Sequence, residues 1–320
     1  MSVELQFIKK LTLVSGNANR QLAEDIAEHL GIPLTQMAVS RFADGETRVK
    51  IDESIRGQDV FVVQPTSPPA NEHLMELLII IDALRRASAH RIAAVIPYYG
   101  YARQDKKVKP REPITARLVA NLLEVAGAQR VLAMDLHSGP LQGFFNIPVD
   151  NLSALLLFVQ HIKEHGFTPE KTVVVSPDVG GVARASEVAS RVGFALAIIA
   201  KRRPEPNVAE AIELIGDVEG RTCILYDDIV DTGGSVVNGA KLLERRGAGR
   251  ILVYATHGIL SGDALQRIEQ SPIEKVVITD TIAFPPEKQN GKVEIVSTAL
   301  TFAEAIRRGF ADESISTLFK

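Results

Sequence analysis

The stretch ILYDDIVDTGGS, residues 224–235, combines a pair of acids with a glycine-rich loop. Its first three residues are predicted to form a buried strand, with Asp227 and Asp228 at the end of that strand. A helix is predicted to begin after the loop formed by Asp231, Thr232, Gly233, Gly234 and Ser235. Glycines let the backbone approach an anion, the start of a helix offers N–H groups to a phosphate, and carboxylates accept hydrogen bonds from sugar hydroxyls. The pattern predicts a site for a phosphorylated sugar. A helix cap followed by a turn is the alternative for the loop taken alone.

Short apolar runs that alternate with helical patterns are expected to position this loop. The runs are residues 59–64, 91–97, 130–135, 172–177, 222–227 and 250–255, and the helical candidates are residues 71–90, 114–126, 181–192 and 235–246. Continuous apolar runs are typical of strands buried on both faces of a parallel sheet. Strand, helix and strand in this order predict an α/β fold, in which ligands collect at the carboxyl ends of the strands.

Residues 122–137 and 242–257 share a helix end, a glycine and a following strand. Local convergence of helix-to-strand joints is one explanation, and two related α/β domains are the other. The second explanation fits a chain of 320 residues. We predict domains at residues 1–149 and 150–303, with the tail of about residues 304–320 packing back on the first domain.

The composition excludes several classes of protein. The chain has 36 Lys and Arg against 39 Asp and Glu, a net charge of −3 that does not suggest a nucleic-acid binder. Cys223 is the single cysteine, so neither an intramolecular disulfide nor a zinc site built from thiols can form. The N-terminus lacks the features of a secretory signal, and Glu76 and Asp82 interrupt the longest apolar stretch. We expect a soluble, cytoplasmic protein without a membrane partner.

Five other segments carry charges or paired glycines between strands or after them. They are RFADGETRVK (41–50), PYYGYARQDKKVKPR (97–111), DLHSGPLQGFF (135–145), SPDVGG (176–181) and AKRRPEPN (200–207). Taken singly, each has an ordinary explanation as a surface turn, a solvated basic loop or a structural histidine. Positions at the ends of strands favour ligand sites, and the last segment is interpreted as a lid that brings cations over phosphates.

In order and spacing, these segments and the loop at 224–235 resemble the ribose-phosphate diphosphokinases, or phosphoribosyl pyrophosphate (PRPP) synthetases, from about residue 14 to residue 319. The chain is most similar to the magnesium-dependent hexameric members that phosphate and ADP regulate. The resemblance implies two tandem type I phosphoribosyltransferase-like domains, each a mainly parallel sheet flanked by helices. The first would bind ATP and the second ribose 5-phosphate, giving PRPP and AMP for nucleotide and amino-acid biosynthesis.

The resemblance also implies roles for particular residues. ATP binding is implied for Phe42, Asp44, Gly45, Glu46, Arg103, Gln104 and His137, with the segment of Phe42 supplied by a neighbouring subunit. Ribose 5-phosphate binding is implied for Arg203, Asp227, Asp228, Asp231, Thr232, Gly233, Gly234 and Ser235. Lys201 and Arg203 would be catalytic, and His137 and Asp178 would hold Mg²⁺. A regulatory site for phosphate or ADP would include Ser54, Arg56, Arg111, Ser314 and Phe319.

The match to the family pattern has four departures, at Val108, Pro140, Asn146 and Ala200. Three other functions remain open: a type I phosphoribosyltransferase that consumes PRPP, a non-catalytic regulatory subunit of a synthetase, and a nucleic-acid-binding regulator on this fold. HIKEH, residues 161–165, spaces two histidines by one helical turn but lacks the glutamate of HExxH. We interpret it as a solvated helix face.

Overall fold

The structure, a computed structural model, describes residues 9–202, 211–285 and 291–319. The chain divides into two compact units. The first unit comprises Met1–Leu152, Thr281–Ala283 and Thr298–Lys320, and the second comprises Ser153–Asp280 and Phe284–Ser297. The domain boundary at residues 149 and 150 remains a prediction, as does the packing of the tail on the first domain.

The first unit contains a five-stranded sheet in which every neighbouring pair is parallel. Its order is β1 (Leu11–Ser15), β4 (Asp59–Val63), β5 (Arg91–Ile96), β6 (Arg130–Met134) and β7 (Val149–Leu152). The hairpin β2 (Met37–Arg41) and β3 (Thr47–Ile51) forms a separate antiparallel pair. The helices are α1 (Arg20–Leu30), α2 (Ala70–Arg86), α3 (Thr115–Ala126) and α8 (Ala299–Phe310), with a 3₁₀ turn at Gly139–Phe144.

The second unit contains a seven-stranded sheet. Its order is β10 (Ala211–Ile215), β9 (Ala195–Arg202), β8 (Thr172–Ser176), β11 (Thr222–Val230), β12 (Arg250–Gly258), β13 (Lys275–Thr279) and β14 (Val293–Val296). Only the pair β9 and β10 is antiparallel among these described strands. The helices are α4 (Leu155–Glu164), α5 (Val182–Val192), α6 (Gly234–Arg245) and α7 (Ala264–Glu269). β8 is buried along its whole length, which explains its unbroken apolar run.

The predicted fold class is confirmed: both units have mainly parallel sheets flanked by helices. All six predicted strands are present, and α2, α3, α5 and α6 match the predicted helices to within a few residues. The hairpin β2–β3 was not predicted, because its half-exposed strands lack an apolar run. Across the described ranges, no helix is long and apolar enough to cross a membrane.

Glu76, which interrupts the apolar stretch of α2, is buried and hydrogen-bonded. Its Oε1 accepts from the backbone N of Asn17 at 2.6 Å and from Nε2 of Gln64 at 2.9 Å. Its Oε2 accepts from Nδ2 of Asn17 at 3.0 Å. A buried carboxylate with three donors avoids the cost of lost hydration, so this acid belongs to the core of the first unit.

Candidate active site

Asp227 and Asp228 lie inside β11, which runs on to Val230, and not at its end as predicted. The ladder between β11 and β8 ends at the pair Leu225–Val175, whereas the ladder between β11 and β12 continues to Val230. β11 is therefore longer than the apolar run because β12 goes on supplying hydrogen-bond partners. Past Leu225, the described part of the chain pairs β11 on one edge only, and the two acids occupy that one-sided extension.

Arg184, in the first turn of α5, links the two acids. Its Nη2 lies 2.6 Å from Oδ1 of Asp228 and 3.5 Å from Oδ1 of Asp227. Asp228 is buried, with 3% of its surface exposed, and its backbone N donates to Oδ1 of Asp227 at 2.9 Å. The sequence reasoning missed Arg184. The sequence feature that could have indicated Arg184 is its position, within one helical turn after the paired glycines of SPDVGG.

The environment of Asp227 holds its proton unusually tightly. Burial raises the pKa of its carboxyl from 3.8 to about 7, and the adjacent Asp228 carboxyl adds to the rise. The backbone N–H of Asp228 and the charge of Arg184 act in the opposite direction and do not prevail. Near neutral pH the Asp227 carboxyl is therefore partly protonated. Hydroxyl groups of a ligand that donate to it would favour its charged form, which is the stronger hydrogen-bond acceptor.

The loop between β11 and α6 is anchored by its own backbone. The carbonyl of Val230 accepts from the N–H groups of Ile259 and Leu260, and that of Asp231 accepts from Ser261. Gly233 occupies the cap position of α6 with φ 74°, a left-handed conformation that favours glycine. Because the cap residue is Gly233, neither Asp231 nor Ser235 is the N-cap of this helix, as the alternative required.

Asp178 is exposed on the loop that joins β8 to α5. Its Oδ1 accepts from the backbone N of Gly181 at 2.8 Å, and its carbonyl accepts from Oγ of Ser176 at 2.7 Å. A Cβ at position 181 would approach Oγ of Ser176 to 3.0 Å, so the tight loop favours glycine there. The same loop leads into α5, and it therefore orients both Asp178 and Arg184.

Lys201 lies in β9 and not in a loop after it, which corrects the predicted start of the lid. Its backbone is opposite Ile212 in the antiparallel pair of β9 and β10. Arg203 and the rest of the predicted lid, residues 203–207, lie outside the described residues.

In the first unit, Phe42 begins the tight turn of the β2–β3 hairpin. Its backbone N donates to the carbonyl of Glu46 at 2.8 Å, and Gly45 N donates back to the carbonyl of Phe42 at 3.0 Å. Oδ1 of Asp44 accepts from Glu46 N, and Gly45 has φ 96°. Phe42 is 50% exposed, and Cζ of Arg48 lies over its ring at 5.8 Å from the centroid.

The loops after β5 and β6 meet through a hydrogen bond from Oγ of Ser138 to Oδ2 of Asp105, at 2.6 Å. Arg103 and Gln104 lie on the first loop and are exposed, and Oε1 of Gln104 accepts from Oγ1 of Thr115 at 2.6 Å. His137, on the second loop, is half-buried. The structure thus brings the two predicted nucleotide loops together at the carboxyl edge of one sheet.

The predicted regulatory residues are exposed where the structure describes them. Ser54, Arg56 and Arg111 lie on loops of the first unit, and Oγ of Ser314 is 2.7 Å from Oγ of Ser316. The side chain of Phe319 lies outside the described residues. Their role as a regulatory site stays a prediction.

Comparison with known proteins identifies the family. Residues 11–127 match the model of the N-terminal domain of ribose phosphate pyrophosphokinase, and residues 200–320 match that of the phosphoribosyl synthetase-associated domain. A ribose-phosphate pyrophosphokinase of Thermotoga maritima is 55% identical over 317 residues, covering 99% of this chain and 100% of the relative. The chain belongs to the ribose-phosphate pyrophosphokinase family.

Other members agree with this assignment. Ribose-phosphate pyrophosphokinase 1 of Listeria monocytogenes is 52% identical over 314 residues, 98% of both chains. The crystal structure of phosphoribosylpyrophosphate synthetase from Mycobacterium smegmatis superposes with a TM-score of 0.90 at 44% identity, covering 95% of this chain and 100% of that one. The chain therefore shares its fold with this phosphoribosylpyrophosphate synthetase over nearly its whole length.

Two of the four departures from the family pattern have a local structural reason. Asn146 donates from its backbone N to Oε1 of Glu124 at 2.6 Å and from Nδ2 to Oε2 at 2.9 Å. An aspartate could not make the second donation. Pro140 stands in the first turn of the 3₁₀ segment, where a missing N–H costs nothing. Nothing in the structure explains Ala200 or Val108.

Proposed function

We propose that the chain transfers the β,γ-diphosphoryl group of ATP to the C1 hydroxyl of ribose 5-phosphate, giving PRPP and AMP. The observation that carries the proposal is the acid pair of β11, linked by Arg184 beside the loop that opens α6. The relatives named ribose-phosphate pyrophosphokinase support it over the full length of the chain. The product would serve nucleotide biosynthesis, and we assign the reaction to the cytoplasm.

Ribose 5-phosphate would use both halves of the β11–α6 segment. Asp227 and Asp228 would accept hydrogen bonds from ribose hydroxyls, while Arg184 holds the second acid in place. Residues 231–235 would receive the 5-phosphate on backbone N–H groups of the loop and of the first turn of α6, and on the hydroxyls of Thr232 and Ser235. The anomeric hydroxyl would then attack the β-phosphorus in line, breaking its bond to the bridging oxygen of the α-phosphate and releasing AMP.

ATP would be held mainly through its base and its phosphates. The exposed ring of Phe42 suits stacking on adenine, and the hydrogen-bonded turn presents Asp44, Gly45 and Glu46 to the base edge and ribose. Arg103 and Gln104, exposed on the loop after β5, would complete this site. We propose, from the family resemblance, that the Phe42 hairpin serves the active site of a neighbouring subunit.

Magnesium is the cofactor we propose, held by Asp178 and His137 with the phosphates of ATP. The chemistry of Asp178 fits this role, because its exposed carboxylate is oriented by Gly181 N and offers the hard oxygen that Mg²⁺ prefers. His137 is a softer ligand for this ion. When bound, Mg²⁺ would neutralise phosphate charge. Lys201 and Arg203 would stabilise charge that develops on the diphosphoryl group.

The decisive test is the identity of the nucleotide product. The protein is incubated with Mg²⁺, ATP and ribose 5-phosphate, and AMP and PRPP are measured together by chromatography. Equal amounts of both support diphosphoryl transfer. ADP as the only nucleotide product would mean ordinary phosphoryl transfer, and PRPP consumption with a free base would mean a phosphoribosyltransferase.

We propose a homo-oligomer, in the form of a hexamer. An apolar stripe on α3 supports association: Leu118, Leu122 and Val125 lie at i, i+4 and i+7 and are 54%, 38% and 76% exposed. Exposed apolar stripes of this kind mark protein interfaces. Sedimentation of the wild type and of Val125→Glu tests the proposal, and an unchanged assembly in the variant would exclude α3 from the interface.

Regulation by phosphate and ADP is the last part of the proposal. Ser54, Arg56, Arg111 and Ser314 are exposed, so a ligand from solvent could reach them. Steady-state turnover is measured with phosphate and with ADP varied separately. Turnover that is indifferent to both ligands would exclude a regulatory site of this type.

A further inference from the structure

His161, His165 and Glu294 form a cluster in the second unit, which we call the α4–β14 triad. Nε2 of His161 lies 3.0 Å from Oε1 of Glu294, and Nε2 of His165 lies 3.8 Å from the same oxygen. The two imidazoles are stacked, with centroids 4.0 Å apart. His161 is only 12% exposed, so the interpretation of HIKEH as a solvated helix face is wrong for this residue.

The opposite nitrogen of each imidazole already has a partner. Nδ1 of His165 donates to the carbonyl of His161 at 2.7 Å, because a carbonyl can only accept. Nδ1 of His161 is 3.0 Å from the hydroxyl of Tyr254, which is buried in β12. Histidines that ligate metals usually make such a bond with the second nitrogen, which fixes the ring and its tautomer. Both Nε2 atoms therefore point toward Glu294, and the contacts of the Nδ1 atoms hold the two rings in this orientation.

We propose that the α4–β14 triad binds one divalent transition-metal ion, with Zn²⁺ as the ion it fits best. Two imidazoles and a carboxylate are a known ligand set for zinc, whereas magnesium prefers oxygen ligands alone. Each residue offers one ligand atom, and these three atoms all lie within 4.8 Å of one another. Among the described residues, no other group of three or more His, Cys, Asp or Glu meets this condition. The site is separate from the residues assigned above to magnesium.

The separations suit tetrahedral coordination. Metal–ligand bonds of about 2.0–2.1 Å place neighbouring ligand atoms about 3.4 Å apart. The two distances to Oε1 of Glu294 lie on either side of that value. His165 is 46% exposed, so water can supply the remaining ligand from the side of that ring.

Zinc binding requires one tautomer change. Because a carboxylate only accepts, Nε2 of His161 carries a proton when it bonds to Glu294. In the zinc-bound form that proton is replaced at Nε2, Nδ1 of His161 carries one instead, and the hydroxyl of Tyr254 rotates to accept it. His165 needs no such change, since its Nδ1 already carries the proton. Lys275, whose Nζ is 3.9 Å from Oε2 of Glu294, opposes binding by its charge.

The competing explanation is a plain histidine–glutamate ion pair that ties α4 to the edge strand β14. Isothermal titration of the chelator-stripped full chain with Zn²⁺ separates the two. We expect binding at the triad that His165→Ala and Glu294→Gln each weaken at least about tenfold, because each removes one ligand. His29→Ala, on an exposed face of α1, and His137→Ala, in the proposed magnesium site, should leave this binding unchanged.

Substitution by Co²⁺ gives an independent readout. The intense visible absorption of tetrahedral Co²⁺ should appear in the wild type and in His137→Ala and be lost in His165→Ala. His165 is half exposed, so that variant should keep the far-UV circular dichroism of the wild type. Equal zinc affinity in the wild type, His165→Ala and Glu294→Gln would overturn the proposal. A loss of zinc affinity in His137→Ala as large as in the two triad variants would also overturn it.

Discussion

Replacing Asp227 by asparagine should stabilise the second unit at alkaline pH while it weakens ribose 5-phosphate binding. The asparagine amide reproduces the protonated carboxyl: its oxygen can still accept from Asp228 N, and its NH₂ can donate to the Asp228 carboxylate. The variant therefore removes a titration and keeps the local hydrogen bonds.

The structure gives the sign and the size of the effect. The pKa of Asp227 is about 7 in the folded chain against an ordinary 3.8. The folded state holds this proton more tightly than the unfolded chain, so the wild type loses stability as the pH rises from about 4 to about 7. Asparagine does not titrate. Between pH 5 and pH 7 the advantage of the variant should grow by at most about 3 kcal/mol, at about 1.4 kcal/mol per pH unit. Asp227 is 17% exposed and titrates together with Asp228. We therefore expect about 1 to 2 kcal/mol.

Thermal unfolding at pH 5 and pH 8, without substrate, measures this difference. For a unit of this size the gap between the variant and the wild type should widen by about 2 to 6 °C at pH 8. Glu28→Gln, on the exposed face of α1, is the matched control and should show no such widening. Calorimetric titration with ribose 5-phosphate should show about 10- to 100-fold weaker binding, the range for a lost hydrogen bond to a charged group.

Two results would refute the reasoning. A stability difference between Asp227→Asn and the wild type that does not change with pH would mean that the carboxyl has no raised pKa. Wild-type affinity for ribose 5-phosphate in the variant would mean that Asp227 does not contact the sugar. As the pH drops below about 7, affinity should fall more steeply in the wild type than in the variant, because only the wild type protonates a carboxyl at position 227.

Three further substitutions test Lys201, the ion pair of Arg184 and the contact of Asn146 with Glu124. Lys201→Ala should lower kcat by about 10²- to 10³-fold with a modest change in ribose 5-phosphate affinity, since it removes charge stabilisation during transfer. Near-normal turnover would remove Lys201 from the mechanism. Arg184→Gln breaks the ion pair with buried Asp228 and should lower the free energy of unfolding of the second unit by about 2 kcal/mol in urea titrations at pH 8. Equal stability at pH 8 would mean that the pair is not part of the fold. Asn146→Asp places a second carboxylate against Glu124 and should cost about 0.5 to 1 kcal/mol at pH 7. The added change Glu124→Gln should restore the stability.

The sequence predicts an element of the fold well when that element is fully buried. It predicts poorly when a structure depends on contacts with residues far away in the sequence. β8 is an unbroken apolar run because both faces are buried, so the sequence alone reveals it. The extension of β11 is invisible in its own residues, since it exists only because β12 continues beside it. Arg184 escaped notice for the same reason: its contact with Asp228 joins residues 44 positions apart. The loop at 231–235 was predictable because its glycines and hydroxyls are local features.

Several features of the second unit that cost folding free energy lie together on the β11–α6 segment. Asp227 and Asp228 place two acids side by side in a mostly buried strand, and Gly233 holds a left-handed conformation before α6. In the described chain, the part of β11 that carries the acids pairs with β12 but not with β8. In the proposed site each feature would give ribose 5-phosphate a partner: the carboxylates for its hydroxyls, and the loop backbone for its phosphate. Because a ligand that binds only the folded state stabilises it, ribose 5-phosphate should return stability that the acid pair removes. Asp227→Asn should stabilise the second unit without ligand, and it should also remove a carboxylate proposed to bind ribose 5-phosphate. At this position, stability and substrate affinity should therefore change in opposite directions.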